Sequence, residues 1–504
     1  MSALQTSFLF VSEGVDWTRM AALLFASILV LSSLILAYNI FWHPLAHFPG
    51  PLHYGATIFP WAYHAFRGTL PFETLKMHNK FGPVVRISPG QLSFIGPAAW
   101  QDIYGTTAGG QNPKYRKFYQ ALGFNGIIAE NVVAAEKDTH KVIRNLMIEQ
   151  MHRKFRSEGQ RLGGAGDTNR TPGMDIFDLQ EWFLWATADI IGDLAFGESF
   201  NCLQQLKRPR FIALMSMAAE AGSKSVVLWS LGMRLVVQAI AYCAGGHLLE
   251  VLGDLRATLT SRIESGAGGD DLMEPLIAAQ KTGHLTFDHV LGTASVLVIA
   301  GLETTVVSLT SFVYFMATNP VCLARLTREI RSMFPAEDEI CLSKVEELKY
   351  LSACIKESLR TYTPAAVGMP RIITNEGRII AGRYIPEQTV VSVSGYASTH
   401  SSMYFRKPFE FHPERFLGSP DFENDVSAAS QPFSLGPRAC IGKTISYATM
   451  RLVITKLLWN FDIESTRESR RWLDNQRAPL LWRKKPLMIK LKPVKRDPLR
   501  STAQ

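Results

Sequence analysis

Between Met20 and Phe41 the chain runs without a single charged residue, reading M-A-A-L-L-F-A-S-I-L-V-L-S-S-L-I-L-A-Y-N-I-F. A helix of about 20 apolar residues spans a bilayer, and Trp17, Tyr38 and Trp42 lie near the ends of the run, where aromatic rings favour the membrane–water interface. The run is longer than the apolar core of a cleaved signal peptide, and Glu13 and Asp16 stand where such a peptide needs basic residues. A single retained anchor is expected. Next comes His43-Pro-Leu-Ala-His-Phe-Pro49-Gly50-Pro51, which cannot continue a helix and stiffens the chain. Beyond it, helical periodicity dominates. Amphipathic segments are read at Asp138–Phe155, Asp175–Phe196, Leu272–Gln280, Asp288–Thr318, Pro320–Ser332, Lys344–Tyr362 and Lys443–Asn460. Short alternating runs at Pro83–Ser88, Leu92–Ile95, Arg378–Ala381 and Thr389–Ser394 predict strands. The polar stretches Arg156–Pro172 and Ser265–Asp271 read as surface loops. The expected fold is mainly α with small β-sheets. It divides into a tail (1–19), a transmembrane anchor (20–42), a proline-rich hinge (43–53) and one large domain (54–504).

Composition narrows the function. A net charge of +9 without basic runs interleaved with aromatics argues against nucleic acid, and a basic face for an acidic redox partner fits better. The six cysteines (202, 243, 322, 341, 354 and 440) show no CxxC spacing, which excludes a zinc site and a disulfide framework. Five of them read as small buried apolar residues.

Cys440 is different. It lies in Phe433-Ser-Leu-Gly436-Pro-Arg438-Ala-Cys440-Ile-Gly442. A thiolate needs donors and positive charge nearby. Arg438 is two residues away, Gly436 and Gly442 let the backbone turn so that amide N–H groups reach the sulfur, and Phe433 is placed to cover the site. A cysteine thiolate on haem iron favours O–O cleavage. A second constellation is Ala300-Gly301-Leu302-Glu303-Thr304-Thr305, where Glu303 is the one charged residue between Leu291 and Phe315. An unpaired acid in so apolar a helix is costly. Gly301 would let a ligand approach, and Thr304 can bond back to a carbonyl one turn earlier. A third pairs Glu357 with Arg360 on one helix face and with Arg415 in Phe411-His-Pro413-Glu-Arg415-Phe416.

These motifs closely resemble the cytochrome P-450 family of haem-thiolate monooxygenases. The resemblance covers roughly Phe48 to Val494, and the segment after the anchor is similar to the proline-rich hinge of microsomal members. It implies haem b, with Cys440 as axial iron ligand and Thr304 and Glu303 as catalytic residues, Thr304 delivering protons during oxygen activation and Glu303 relaying them. It implies that Glu357, Arg360 and Arg415 lock the core structurally. The haem propionates would meet His140 and Arg144, where many members carry Trp at the position of His140, together with Arg371 and Arg438. Substrate contacts would come from Tyr115–Ile128, Val226–Ala244, the helix before Thr304, Ala365–Met369 and Ala478–Leu481, with Phe118, Tyr119, Phe124, Val367 and Leu480 forming an apolar pocket. Val226–Ala244 is apolar enough to touch the bilayer as well.

The expected activity is insertion of one oxygen atom from O2, by hydroxylation or epoxidation, into a lipophilic substrate. The motifs resemble fungal secondary-metabolite members, including trichothecene hydroxylases, and point to a terpenoid or polyketide-like substrate. No flavin domain is encoded, so electrons would come from an NADPH-cytochrome reductase, with cytochrome b5 as an optional second donor. The rivals are a haem-thiolate isomerase or dehydratase, which needs no reductase, and a non-catalytic haem-binding protein. The expected location is the endoplasmic reticulum membrane, with the catalytic domain in the cytosol. Arg19 is the only basic residue flanking the anchor and weakly favours the opposite orientation, but a catalytic thiolate prefers a reducing compartment.

Overall fold

The computed structural model describes residues 16–106, 110–122, 139–145, 147, 176–264, 271–374, 376–483 and 485–494. The anchor is helix α1 (Trp17–Phe41). It starts ahead of the uncharged run because the Asp16 carboxylate accepts from the Thr18 and Arg19 amides and caps it. The helices that build the site are α2 (Phe59–Arg67), α3 (Leu179–Phe196), α4 (Arg210–Ser230), α5 (Phe287–Thr318), α6 (Lys349–Thr361) and α7 (Lys443–Asn460). By length and apolar character α4 and α5 could also cross a membrane, but 44% and 67% of their most apolar windows lie inside the protein, against none of α1. Among the described residues, α1 is the one such helix with none of its most apolar window buried, which makes it a candidate membrane anchor, while Asn39 and Ile40 in its last turn are half-buried.

Helix α5 is the spine. Its flanks bury Val298, Leu302, Val306, Leu309, Phe312 and Val313 against α3, α6 and α7 in the largest apolar cluster. The strands are short. In chain order they are β1 (Val84–Ser88), β2 (Gln91–Phe94), β3 (Ile176–Asp178), β4 (Arg371–Ile372), β5 (Arg378–Ile380), β6 (Arg383–Ile385), β7 (Val390–Val393), β8 (Phe461–Ser465) and β9 (Met488–Pro493). They form sheets ordered β1-β2-β7-β4 and β3-β9-β8, and the hairpin β5-β6. The pair β2–β7 is parallel, with Leu92 opposite Val391, and the other pairs are antiparallel. The fold is mainly helical with small sheets, as the periodicity indicated.

Two segments differ from their sequence reading. The segment 175–196 is a helix only from Leu179, because Ile176–Asp178 pairs with β9 from the far end of the chain. The segment Lys344–Tyr362 is broken into Leu342–Val345 and α6. The carboxylate of Glu329, on the helix Pro320–Met333, accepts from the amides of Tyr350 and Leu351 at 2.8 and 2.9 Å and starts α6 afresh. Both causes are long-range. Of the segment 138–155, residues 139–145 and 147 are helical and the rest lie outside the described residues, as do the stretch 156–172 and residues 265–270. Among the five other cysteines, Cys202 and Cys354 are buried as expected, but Cys322 and Cys341 are half-exposed and Cys243 is exposed.

Candidate active site

Cys440 sits three residues ahead of Lys443, the first residue of the 18-residue helix α7, whose N-terminus favours negative charge. Its own amide is spent on the Phe433 carbonyl at 2.8 Å, which closes the loop, while the Gly442 amide is directed at the sulfur. Gly436 has φ +72°, and a Cβ there would lie 2.2 Å from the Tyr104 carbonyl oxygen, so this position admits glycine alone. Phe433 packs on Tyr447 with ring centroids 5.2 Å apart. Cys440 is solvent-accessible yet ringed by protein atoms, and that crowding holds its thiol above the usual range, with the Gly442 amide, Arg144 and Lys443 offsetting part of the rise. Arg438, which the sequence placed beside the sulfur, feels the charges of Arg371, Tyr119 and Arg144, and it is not among the groups that act on the Cys440 thiol. Arg144 takes the expected role, and its guanidinium also donates to the Ala439 carbonyl at 2.7 Å.

On α5, Ala300 is exposed and Gly301 and Thr304 are half-exposed, although their neighbours Leu302, Glu303 and Thr305 are buried. Ala300, Gly301 and Thr304 thus make a more open strip, one turn long, on a helix that is mostly buried from Val290 to Met316. Thr304 Oγ1 donates to the Ala300 carbonyl at 2.6 Å, the back-bond its position implied. Two expectations fail here. Glu303 is not unpaired: it is 7% exposed and accepts a short hydrogen bond from Ser216 Oγ of α4. Gly301 does not make room for a ligand, since a Cβ there would meet Ile191 Cδ1 of α3 at 2.5 Å, and the glycine lets the two helices cross closely.

The cationic residues converge. His140 is 7% exposed and is pushed down to about 4, first by burial and then by Arg438, Arg144, Lys114 and Arg371. Arg438 is itself pushed down to about 10 by burial and by Arg371. Arg371 is buried over the Tyr104 ring, 5.5 Å from its centroid, and its Nε has no hydrogen-bond partner. Lys114, next to β4 through its bridge to Arg371, was missed because a lone lysine in a loop carries no pattern.

The triad forms as expected. Arg360 grips both oxygens of Glu357 at 2.7 and 2.9 Å, Arg415 Nε reaches Oε1 at 3.1 Å, and Glu357 and Arg360 are fully buried. Arg360 also donates to the carbonyls of Thr399, Pro408 and Glu410, which ties α6 to the segment ahead of the cysteine loop. The sequence missed a fourth member, Asp425, which pairs with Arg415 Nη1.

A family model for cytochrome P450 matches residues 50–491. The chain belongs to the cytochrome P450 family. It is 35% identical over 489 residues to the cytochrome P450 monooxygenase tpeC of Talaromyces stipitatus, covering 95% of this chain and 96% of that protein. It is 34% identical to an averantin hydroxylase of Dothistroma septosporum, over 90% and 88% of the two chains. It is 33% identical to a trichothecene C-15 hydroxylase of Fusarium sporotrichioides, over 91% and 95%. This P450 is therefore a monooxygenase, an oxidoreductase that uses O2, a redox partner and haem b.

The residues fit haem. A sulfur donor lies at a helix N-terminus, and the crowd of cations around His140, with an orphaned buried Nε on Arg371, is the environment two carboxylates would neutralise. In this P450, Phe118, Val367 and Leu480 line a cleft together with Trp61 of α2 and Val226 and Val227 of α4, and neither the Cys440 loop nor Ala300–Thr304 is among its lining residues. Tyr119 departs from the expected pocket: it is buried beneath Lys114, whose Nζ lies 5.2 Å from its ring centroid. Phe124 lies outside the described residues.

Proposed function

We propose that this P450 hydroxylates or epoxidises a lipophilic fungal secondary metabolite of terpenoid or polyketide type, with electrons from a separate NADPH-cytochrome reductase and cytochrome b5 as an optional donor. The observation that carries the reading is the pairing of a helix-capping Cys440 loop with the one-turn open strip at Ala300–Thr304. Relatives whose names include an averantin hydroxylase and a trichothecene C-15 hydroxylase support the substrate class. The enzyme acts from the endoplasmic reticulum membrane on the cytosolic side, with α1 as the single-pass anchor of a domain that follows the hinge at 43–53.

Bound haem supplies the oxygen-activating chemistry. Cys440 holds it as thiolate, and the Gly442 amide, Arg144 and Lys443 stabilise that charge. His140, Arg144, Arg371 and Arg438 orient it by its propionates. With haem bound, Thr304 Oγ1 would pass a proton into the site and take one back from solvent through the relay, so that the restored hydroxyl again donates to the Ala300 carbonyl. Glu303 is the acid behind it, kept in reserve by Ser216. The cleft lined by Phe118, Val226, Val367 and Leu480 receives a lipophilic substrate. Leu235 and Tyr242, 79% and 88% exposed just beyond α4, offer an apolar contact for lipid.

Yeast microsomes containing this protein, incubated with a panel of lipophilic metabolites, test the reading. A product heavier by one oxygen atom, formed only with NADPH, reductase and O2, is expected. A product isomeric with its substrate and formed without reductase would instead establish the isomerase.

A further inference from the structure

The last turn of α1 contains no basic residue, and its C-terminal carbonyls need partners from elsewhere. The Tyr38 carbonyl accepts the amides of Trp42 and His43. The Asn39 carbonyl is taken by a side chain from the catalytic domain: Arg86 of β1 donates Nη1 at 2.9 Å. The same guanidinium donates Nε and Nη2 to the Pro89 carbonyl at 3.2 and 2.9 Å, and Arg86 is only 4% exposed. A buried cation that bonds main-chain carbonyls at a helix C-terminus completes that helix's dipole as well as its hydrogen bonds. From the other side, the Asn39 amide donates to the Ala56 carbonyl at 2.8 Å. The chain between the two contacts is moulded to Arg86. A Cβ on Gly50 would lie 2.6 Å from the Arg86 carbonyl oxygen, and one on Gly55 would lie 3.2 Å from Nη1. Prolines alone would stiffen this segment, but the arginine bolts it to the sheet.

The helix that follows has an inverted surface. On α2, Phe59, Tyr63 and Phe66 stand at i, i+4 and i+7 and are 68%, 56% and 44% exposed, while Trp61, Ala62 and Ala65 point inward. Trp42 and Leu52, between α1 and α2, are 70% and 72% exposed. An aromatic stripe continuous with a membrane-spanning helix fits the bilayer interface.

We propose that Arg86 and Asn39 form a rigid joint that fixes the angle of the catalytic domain on the bilayer and lays the Phe59–Tyr63–Phe66 face of α2 on lipid. The joint rests on reading α1 as the anchor. Trp61 and Ala65, on the inner side of the same helix, line the substrate cleft, so the joint holds that wall of the cleft at the lipid surface. Arg86 and Asn39 are positioning residues that touch no reacting atom.

The test uses the full-length haem-loaded chain in oriented phosphatidylcholine bilayers, where polarised absorption of the haem band reports its tilt. The wild type should sediment with the bilayers and give strong dichroism at one tilt. Arg86→Met should stay membrane-bound but lose about half or more of that dichroism as the domain swivels. Asn39→Leu should shift it in the same direction by less, and it guards against misfolding because residue 39 lies on α1, outside the domain core. Arg86→Lys, which can reach one of the two carbonyls, should fall between wild type and Arg86→Met. Wild-type dichroism in both Arg86→Met and Asn39→Leu overturns the joint. A wild-type chain that fails to sediment with bilayers overturns the anchor reading and the joint with it.

Discussion

Thr304 shows how much one hydroxyl can be asked to do. It stands in the open strip of α5 with its proton parked on the Ala300 carbonyl at 2.6 Å, a bond that must open when the proton is needed. Thr305 is buried on the other side of the turn and cannot take over directly. Thr304→Ala should therefore leave haem content and substrate binding intact and divert electrons to peroxide or water. General acid work is worth about a hundredfold or more, so product formed per NADPH should fall by at least about tenfold. Unchanged coupling would remove Thr304 from the mechanism. Glu303 teaches the opposite lesson. Its isolation along the sequence suggested an uncompensated acid, but the cost of burying it is met by Ser216 from a helix almost ninety residues earlier.

At the scale of elements, the junction of α6 with the segment before the cysteine loop stands on one carboxylate. Glu357 is fully buried, accepts from Arg360 and Arg415, and also takes the His412 amide at 2.9 Å. Removing one partner from a buried ion pair leaves an uncompensated charge, which costs about 3–5 kcal/mol. Glu357→Gln keeps the shape but discards the charge, leaving Arg360 buried with neutral acceptors and Arg415 with Asp425 as its one remaining anion. The expected outcome is protein with little or no bound haem and a thermal midpoint lower by several degrees, read by absorbance and calorimetry. Asp425→Asn should act in the same direction by a smaller amount, because Arg415 retains Glu357. An Asp425→Asn protein that matches wild type would mean Arg415 needs only one anion.

The whole molecule is tuned against acid. His78, 1% exposed, is held neutral between the Gly82 carbonyl at 2.8 Å and Ser93 Oγ at 2.9 Å, and burial pushes it down to about 4. His400, 3% exposed and stacked on Tyr396, is pushed down to about 3 by burial and then by Arg360. In the unfolded chain both would titrate near about 6.5. Below that pH the unfolded state binds more protons than the folded one, so stability falls as pH drops from about 6.5 toward 4. Each site contributes a slope of about 1.4 kcal/mol per pH unit at most. Between pH 6.5 and 4 the melting temperature should fall steadily, and His78→Asn should flatten that fall even if it lowers stability at pH 7. An equally steep fall in the mutant would assign the acid sensitivity to other groups.

The sequence by itself determined what depends on neighbours along the chain. The uncharged run of α1, the span of α7 and the glycine at position 436 were legible because apolar periodicity, chain length and a forced positive φ are local properties. The back-bond of Thr304 and the meeting of Glu357 with Arg360 and Arg415 were legible because each sits in a short dense motif. The tertiary structure alone decided which partner each group meets. Arg144, from a helix almost three hundred residues earlier, and not Arg438, two residues away, acts on the sulfur and bonds the Ala439 carbonyl beside it. Gly301 serves a helix crossing through Ile191, and Asp425 joins the triad. The end of α1 is capped by Arg86, forty-seven residues on. Hydrogen bonds and like-charge crowding act over a few ångströms of space, and no spacing along the chain encodes which distant residues folding will bring to that distance.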